Sequence, residues 1–559
     1  VTARKRALLL VWTRRVAQGA FLLLFLALLL AARAPADGTP GRLLGIFFDI
    51  DPLIFLATWI SARSLEGLSL LALATVLLTV LLGRVFCGWV CPFGTLHNMI
   101  TSIRTRKERL REGRDAYSGW QRAKYFLLVG LAVAALLGVH WVGVFDPLSL
   151  FYRSTATALI PAAQYATESV STAVYRADPR AGPLSLAALT EPVYRFLRDD
   201  LFVAKRAAFS GSALIFVLFL AAVLLNLARP RFWCRYVCPL GALLGLVAKR
   251  TPLRLAASSG ECGGCNLCRV ACPAAAQPEK PGEWLPAECF GCWNCVAACR
   301  QNAIDFRWES PFAKPKAGSI DLSRRALFAS ALGGAAGFLT LRMAPLAQGR
   351  TFSPELIRPP GARAEDEFLD RCVQCGMCMK ACPPNALHPA SLEAGLAGIW
   401  TPVLVPRLGY CEFECNLCGE VCPTGAIRPL PLAEKKTTRI GLATFDTTRC
   451  IPYAYGRDCI VCEEHCPIPT KAIYFVETPI RLRDGSSLVV KQPRIDPELC
   501  TGCGICENVC PFKDRAAVRV TSAGESRHPG NRPFLPFRRE DGGYGEETGA
   551  GPYGYPAGP

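Results

Sequence analysis

Histidine is scarce, with five in 559 residues. Bis-histidine haem ligation needs facing histidines, yet only His140 falls in an apolar run of spanning length, with His97 towards its other side. No C-x-x-C-H attachment site for haem occurs. No G-x-G-x-x-G stands between a strand and a helix, which removes the dinucleotide fingerprint. Pterin, flavin and nucleophile signatures are missing too. Acid is in short supply: 45 Asp and Glu stand against 63 Lys and Arg, for a net charge of +18. Such a balance can mark a nucleic-acid partner, but here the basic residues cluster beside apolar runs. Membrane orientation explains them better, and no nucleic acid is expected.

What the chain does have is cysteine, 28 residues of it, and a positive mean hydropathy. Between Cys262 and Cys299 it reads CGGCNLCRVACP and then CFGCWNCVAACR, two runs of C-x2-C-x2-C-x3-C. That spacing is the signature of a [4Fe–4S] cluster, and in two-cluster ferredoxins the fourth cysteine serves the other cluster. The expected quartets are therefore Cys262, Cys265, Cys268 with Cys299, and Cys289, Cys292, Cys295 with Cys272. Zinc ribbons use pairs of cysteines instead of eight at this spacing. Four further groups lie downstream: Cys372, Cys375, Cys378, Cys382; Cys411, Cys415, Cys418, Cys422; Cys450, Cys459, Cys462, Cys466; and Cys500, Cys503, Cys506, Cys510. The second opens with a three-residue gap and the third with eight residues, IPYAYGRD, which change the approach to a cluster without removing a ligand. Six clusters are expected. How the last four groups exchange cysteines stays open, first with fourth and second with third being one arrangement. An Ala-aliphatic pair follows five groups, at Ala303-Ile304, Ala386-Leu387, Ala426-Ile427, Ala472-Ile473 and Ala517-Val518, and opens short strands of a small α+β unit.

Residues 1–255 are expected to form a polytopic α-helical membrane domain. Four apolar runs, Val16–Ala32, Leu65–Gly83, Tyr125–Val144 and Ala207–Ala228, approach the length a bilayer requires. The first is read as an uncleaved span, although the arginines before it also suit a signal peptide. Arg14 and Arg15 at the start, Arg104 to Arg114 after the second run, and Arg229, Arg231, Arg235, Lys249 and Arg250 after the fourth put those stretches in the cytoplasm. The domain is a two-fold repeat. One copy carries Asp51-Pro52-Leu53 and Cys87-x3-Cys91-Pro92; the other carries Asp146-Pro147-Leu148 and Cys234-x3-Cys238-Pro239. The topology puts both Asp-Pro-Leu turns at the periplasmic edge and both cysteine pairs at the cytoplasmic edge, with symmetry gathering the four thiols for redox or metal chemistry. Ionisable residues at membrane depth are functional candidates; Asp51, His140 and Asp146 could accept protons from a quinol, or the aspartates could simply cap turns.

Residues 256–310 form the first two-cluster ferredoxin domain, placed in the cytoplasm. Residues 311–350 form a linker followed by SRRALF from Ser323 and a short glycine-rich apolar run, the pattern of a twin-arginine export segment and a fifth crossing. Residues 351–521 follow as a four-cluster domain in the periplasm, and 522–559, rich in Gly, Pro, Arg and Tyr, read as a disordered tail.

On these motifs residues 1 to about 310 resemble the NapH-type quinol dehydrogenase membrane subunits of periplasmic nitrate reduction, and the chain from about 320 resembles the NapG-type periplasmic ferredoxins, as though fused. Similar pairs occur in methylamine utilisation, and the membrane half is also similar to the CcoG and NosR families. The resemblance implies a protein of the bacterial inner membrane that oxidises menaquinol or ubiquinol. It would relay electrons to a periplasmic c-type cytochrome or reductase, alongside other respiratory-complex subunits, and its CcoG side implies the alternative of copper reduction or maturation at Cys87, Cys91, Cys234 and Cys238. Two features depart from the families: the fusion itself, and Arg300 where proline usually follows the last cysteine.

Overall fold

The computed structural model describes residues 3–32, 41–64, 69–103, 116–177, 180–181, 184–198, 209, 211–258, 262–280, 283–310, 322–342, 353–481, 485–528, 530–531, 539–540 and 543–544. The basic loop at Arg104 to Arg114 and the linker before the twin-arginine-like segment lie outside them, as does most of the tail.

Four apolar helices occupy the expected places: Ala3–Ala31, Ala72–Leu82, Ala123–Leu136 and Ser212–Ala228. Among the described residues only Ala3–Ala31 is long and apolar enough to cross a membrane. Helices Ala123–Leu136 and Ser212–Ala228 are shorter than their apolar runs because positive-φ glycines cut them, Gly138 at φ 92° and Gly211 at φ 75°. Helix Arg324–Arg342 lies along Ala123–Leu136 so closely that a Cβ on Gly334 would stand 2.4 Å from the Gly130 carbonyl oxygen.

The sequence repeat is a structural repeat. Asp51 accepts from Leu53 N and Ile54 N and caps Pro52–Ala62; Asp146 accepts from Ser149 N and caps Pro147–Ser154, each with proline in the first turn. Cys87 and Cys234 each sit in a π-helical turn, Phe86–Val90 and Trp233–Val237. Cys91 and Cys238 follow at the start of helices Pro92–Ile103 and Pro239–Val247, and their sulfurs accept from Gly94 N at 3.4 Å and Gly241 N at 3.2 Å.

The cysteine-rich parts are built from short antiparallel ladders. Leu253–Ala257 pairs with Ile304–Trp308, Leu387–Pro389 with Pro402–Leu404, and Leu442–Phe445 with Val518–Thr521. A longer hairpin pairs Ile473–Arg481 with Ser487–Ile495. The beginning of the tail is ordered, contrary to the expectation from its composition. Ser522 and Glu525 are buried, and Arg527 bonds Glu365 at 2.6 Å. This ion pair supplies the anchor that a polar segment otherwise lacks.

Candidate cluster sites and their docking on the helices

Four cavities in residues 353–531 are each lined by four cysteines. Cys372, Cys375 and Cys378 meet Cys422; Cys411, Cys415 and Cys418 meet Cys382. Cys450, Cys459 and Cys462 meet Cys510; Cys500, Cys503 and Cys506 meet Cys466. The exchange therefore runs between the first and second groups and between the third and fourth. The arrangement of first with fourth and second with third is corrected: neighbours in sequence fold into one unit because their ladders close locally. In residues 262–299, Cys272 is within electrostatic reach of Cys289, Cys292 and Cys295, and Cys268 of Cys299.

The loops are wound for this purpose. In the four groups of standard spacing the residue after the second cysteine is left-handed: Asn266, Trp293, Gly376 and Gly504, at φ 55°, 55°, 82° and 85°. Past the last cysteine another left-handed residue, Ala275, Asn302, Asn385 or Gly425, turns an amide back onto its sulfur. Ala276 N reaches Cys272 Sγ at 3.4 Å, Ala303 N reaches Cys299 at 3.3 Å, Ala386 N reaches Cys382 at 3.3 Å and Ile427 N reaches Cys422 at 3.4 Å. Ala517 N does the same for Cys510 at 3.4 Å. At Ala303, Ala386 and Ala517 the Ala-aliphatic cadence thus has a cause: the small residue lets its N–H approach sulfur, and the next side chain, Ile304, Leu387 or Val518, enters the core.

The donor sets fit iron–sulfur clusters. Burial, then the charge of Cys450 and Cys459, pushes the Cys462 thiol up to about 12. Burial, then Cys503, Cys500 and Cys462, pushes Cys506 well above its ordinary value. Thiolates crowded out of water in this way need a compensating cation, and cluster iron supplies one. Among the described residues no three His, Cys, Asp or Glu side chains gather tightly enough to hold a single metal ion.

The two cysteine-rich parts dock at opposite ends of the helical domain. At one end Glu288 is buried and receives Lys124 Nζ, Tyr125 Oη at 3.0 Å, and Arg84 Nη1 and Gln121 Nε2, both at 3.4 Å. Gly88 lies under Phe290, the residue after Cys289; a Cβ on Gly88 would stand 2.4 Å from the Phe290 carbonyl oxygen. At the other end Gly143 lies under Val373, the residue after Cys372, where a Cβ would stand 1.8 Å from the carbonyl oxygen. Arg153 donates to Gln374 O at 2.7 Å and covers the Trp400 ring, and Gln374 Nε2 donates to His140 O at 3.2 Å. Both docks use the same device, a glycine beneath the residue that follows a cluster's first cysteine.

Of the three candidate proton acceptors, Asp51 and Asp146 are brought together, both fully buried and each acting electrostatically on the other. The His140 ring takes another partner, Thr58 Oγ1 at 3.3 Å. Cys87, Cys91, Cys234 and Cys238 are all buried, and each lies within electrostatic reach of the other three. Cys91 is also within reach of Asp146. The carboxyl pair and the thiols are therefore neighbours inside the helical domain, which corrects their assignment to opposite edges. The half-length helices bring both motifs inward. Arg14, Arg231 and Arg235 need a second correction. Read from sequence as charges of basic cytoplasmic stretches, they are buried. Arg14 Nη2 bonds Asn294 at 3.1 Å, Arg231 Nη1 bonds Cys87 O at 3.3 Å, and Arg235 Nη2 bonds Gln121 at 2.9 Å. Only an arginine beside a C-x3-C-P pair could have hinted at this.

The fold and these quartets define an iron–sulfur electron-transfer protein with several ferredoxin-type centres. A family described as "4Fe-4S binding domain" matches residues 66–111 and 211–255, and a second of that description matches 368–388 and 493–513. The methylamine utilization ferredoxin-type protein MauM of Methylorubrum extorquens is 34% identical over 182 residues, 32% of this chain and 79% of the relative. The ferredoxin-type protein NapG of Escherichia coli is 35% identical over 165 residues, 29% of this chain and 69% of the relative. An uncharacterized protein of Methanocaldococcus jannaschii is 23% identical over 235 residues, 41% of this chain and 67% of the relative. The chain belongs to the ferredoxin-type protein family of MauM and NapG. No solved structure matches it.

Proposed function

We propose that the chain is a membrane-embedded electron conduit, in the manner of a NapH-type and NapG-type pair on one chain. It oxidises a quinol and passes electrons through six [4Fe–4S] clusters to a periplasmic cytochrome or reductase. The observation that carries this reading is the buried Asp51–Asp146 pair lying one residue layer from a cluster dock: Tyr152 and Arg153, on the helix that Asp146 caps, are within electrostatic reach of Cys375. Phe151, on that helix, stacks between Phe25 and Phe219 of two other helices, with centroids 5.2 and 6.0 Å apart. The helices also expose an apolar surface through Leu73, Leu77, Val80, Leu81, Val217 and Leu224, which a bilayer would cover.

Oxidation of a quinol releases two protons and two electrons. A carboxyl pair sharing a proton accepts another when one member is ionised, and so serves as first acceptor in an apolar site. The clusters, when bound, supply single-electron carriers on either side. The aspartates hold the proton while Arg153 and Gln374 fix the cluster loop against the site. The test is stopped-flow reduction by a quinol analogue. Asp51→Asn and Asp146→Asn should each slow cluster reduction by about 100-fold or more while leaving the dithionite-reduced EPR spectrum unchanged. Wild-type rates in both variants would remove the aspartates from the reaction.

A further inference from the structure

The helix that Asp146 caps brings two side chains to a cluster loop with polar ends that the protein itself does not satisfy. Tyr152 is buried, its ring edge-on to Phe25 and Phe48 at centroid distances of 5.9 and 5.6 Å. Its hydroxyl is enclosed and has no hydrogen-bond partner among the described residues. Arg153 is completely buried as well. Its Nη1 donates to Gln374 O at 2.7 Å, and a Cβ on Gly376 would stand 3.4 Å from Arg153 Cα, so the residues on both sides of Cys375 rest on it. Arg153 Nε and Nη2 have no partner among the described residues. The Tyr152 phenol is within electrostatic reach of Cys375 and Cys378, and the Arg153 guanidinium of Cys372 and Cys375. Those three cysteines line one cavity with Cys422.

Buried donors without an acceptor are costly, and a buried guanidinium needs a negative partner. Asp146 is within reach of Arg153, but one of its oxygens already accepts from Ser149 N at 2.7 Å. A [4Fe–4S] cluster in the cavity answers both needs. Its sulfurs accept N–H and O–H groups, and with four thiolates it carries about two negative charges when oxidised and about three when reduced. A donor or a cation therefore stabilises the reduced state more than the oxidised one, which raises the potential.

We propose that Tyr152 and Arg153 set the potential of the cluster held by Cys372, Cys375, Cys378 and Cys422. Both donate to sulfur of that centre and make it easier to reduce. The step concerned adds one electron to the cluster, with no bond made or broken and no proton moved. Both residues belong to the helical domain, so the domain that carries the carboxyl pair also tunes the centre docked on it. The effect is the same whatever donor supplies the electron.

The test is an EPR-monitored redox titration of the full chain in detergent, with dithionite and mediators in place of quinol. Tyr152→Phe keeps the ring and removes the donor. It should lower the reduction equilibrium constant of one cluster about tenfold, about 59 mV for a one-electron couple, and leave the other midpoint potentials in place. The cluster that moves should be the one whose EPR signal changes in Cys375→Ser. Arg153→Gln should shift the same cluster in the same direction, and Arg153→Lys, which keeps the charge, should recover part of the shift. Wild-type midpoint potentials for every cluster in Tyr152→Phe overturn the proposal, as does a shift at a different cluster or an equal shift at several. Arg153→Lys shifting as far as Arg153→Gln would contradict the role of the Arg153 charge.

Discussion

Glu288 is the residue on which the first dock turns. It is buried, and two cations, a phenol and an amide converge on it. Removing its charge leaves Arg84 and Lys124 without their carboxylate. Glu288→Gln should therefore destabilise the contact between residues 262–310 and the helices by about 3–5 kcal/mol. Limited proteolysis between residues 253 and 310 would report it, and unchanged protection would show that the docked loop is held by packing alone. Glu365 plays a comparable part in the second cysteine-rich region. Burial would raise its pKa, but Arg358 and Arg527 outweigh burial and hold it down at about 2. Its folded value is thus below the unfolded one, so its contribution is complete above about pH 4.5 and is lost as pH falls towards 2. Glu365→Gln should cost roughly 1.5–3 kcal/mol at pH 7. The difference in Tm from wild type should narrow between pH 5 and pH 3.5, where a constant difference would mean the carboxylate is not the source. At this scale the sequence was partly legible. The approach of Cys272 to Cys289, Cys292 and Cys295 follows from spacing, whereas Arg14, Arg231 and Arg235 looked like exposed charge, because nothing in a lone arginine tells whether its partner is water or a buried carbonyl.

Among the elements, two glycines govern how the parts meet. Gly88 and Gly143 have no room for a side chain, since in both cases the obstacle is backbone, the Phe290 and Val373 carbonyls. Gly143→Val should force the Cys372 loop away from the helices and slow electron exchange across that dock, leaving iron content near wild type. Gly88→Val should act alike at the other dock. Rapid-freeze EPR after partial reduction would show one group of clusters filling while the other lags, and simultaneous filling in both variants would refute the role of these contacts. Helix starts were readable in advance, because Asp-Pro both caps and opens a helix. The helix ends were not. The third apolar run continues past Leu136, but the backbone turns at Gly138, and hydropathy does not register a glycine's φ. The π-helical turns at Cys87 and Cys234 were equally hidden, because they are set by the packing of the following proline helix and leave no composition signal.

For the molecule as a whole, the order in space differs from the order along the chain: the helical domain, first in sequence, stands between the two cysteine-rich parts that follow it. The sequence suggested two groups of clusters on different sides of an apolar domain, and the docks at Lys124 and Tyr125 and at His140 and Gly143 stand at the two ends of helix Ala123–Leu136. Which cysteine groups share clusters could not be read from spacing, since all four downstream groups end in Cys-Pro and any two could be partnered. Ladder closure decided it. In the proposed function electrons enter from quinol between the docks. The most direct measurement is anaerobic addition of a menaquinol or ubiquinol analogue to the full chain in detergent, followed by EPR of the clusters. Quinol should develop reduced-cluster signals from both cysteine-rich parts. No signal with either quinol, in protein whose clusters all reduce with dithionite, would contradict the account.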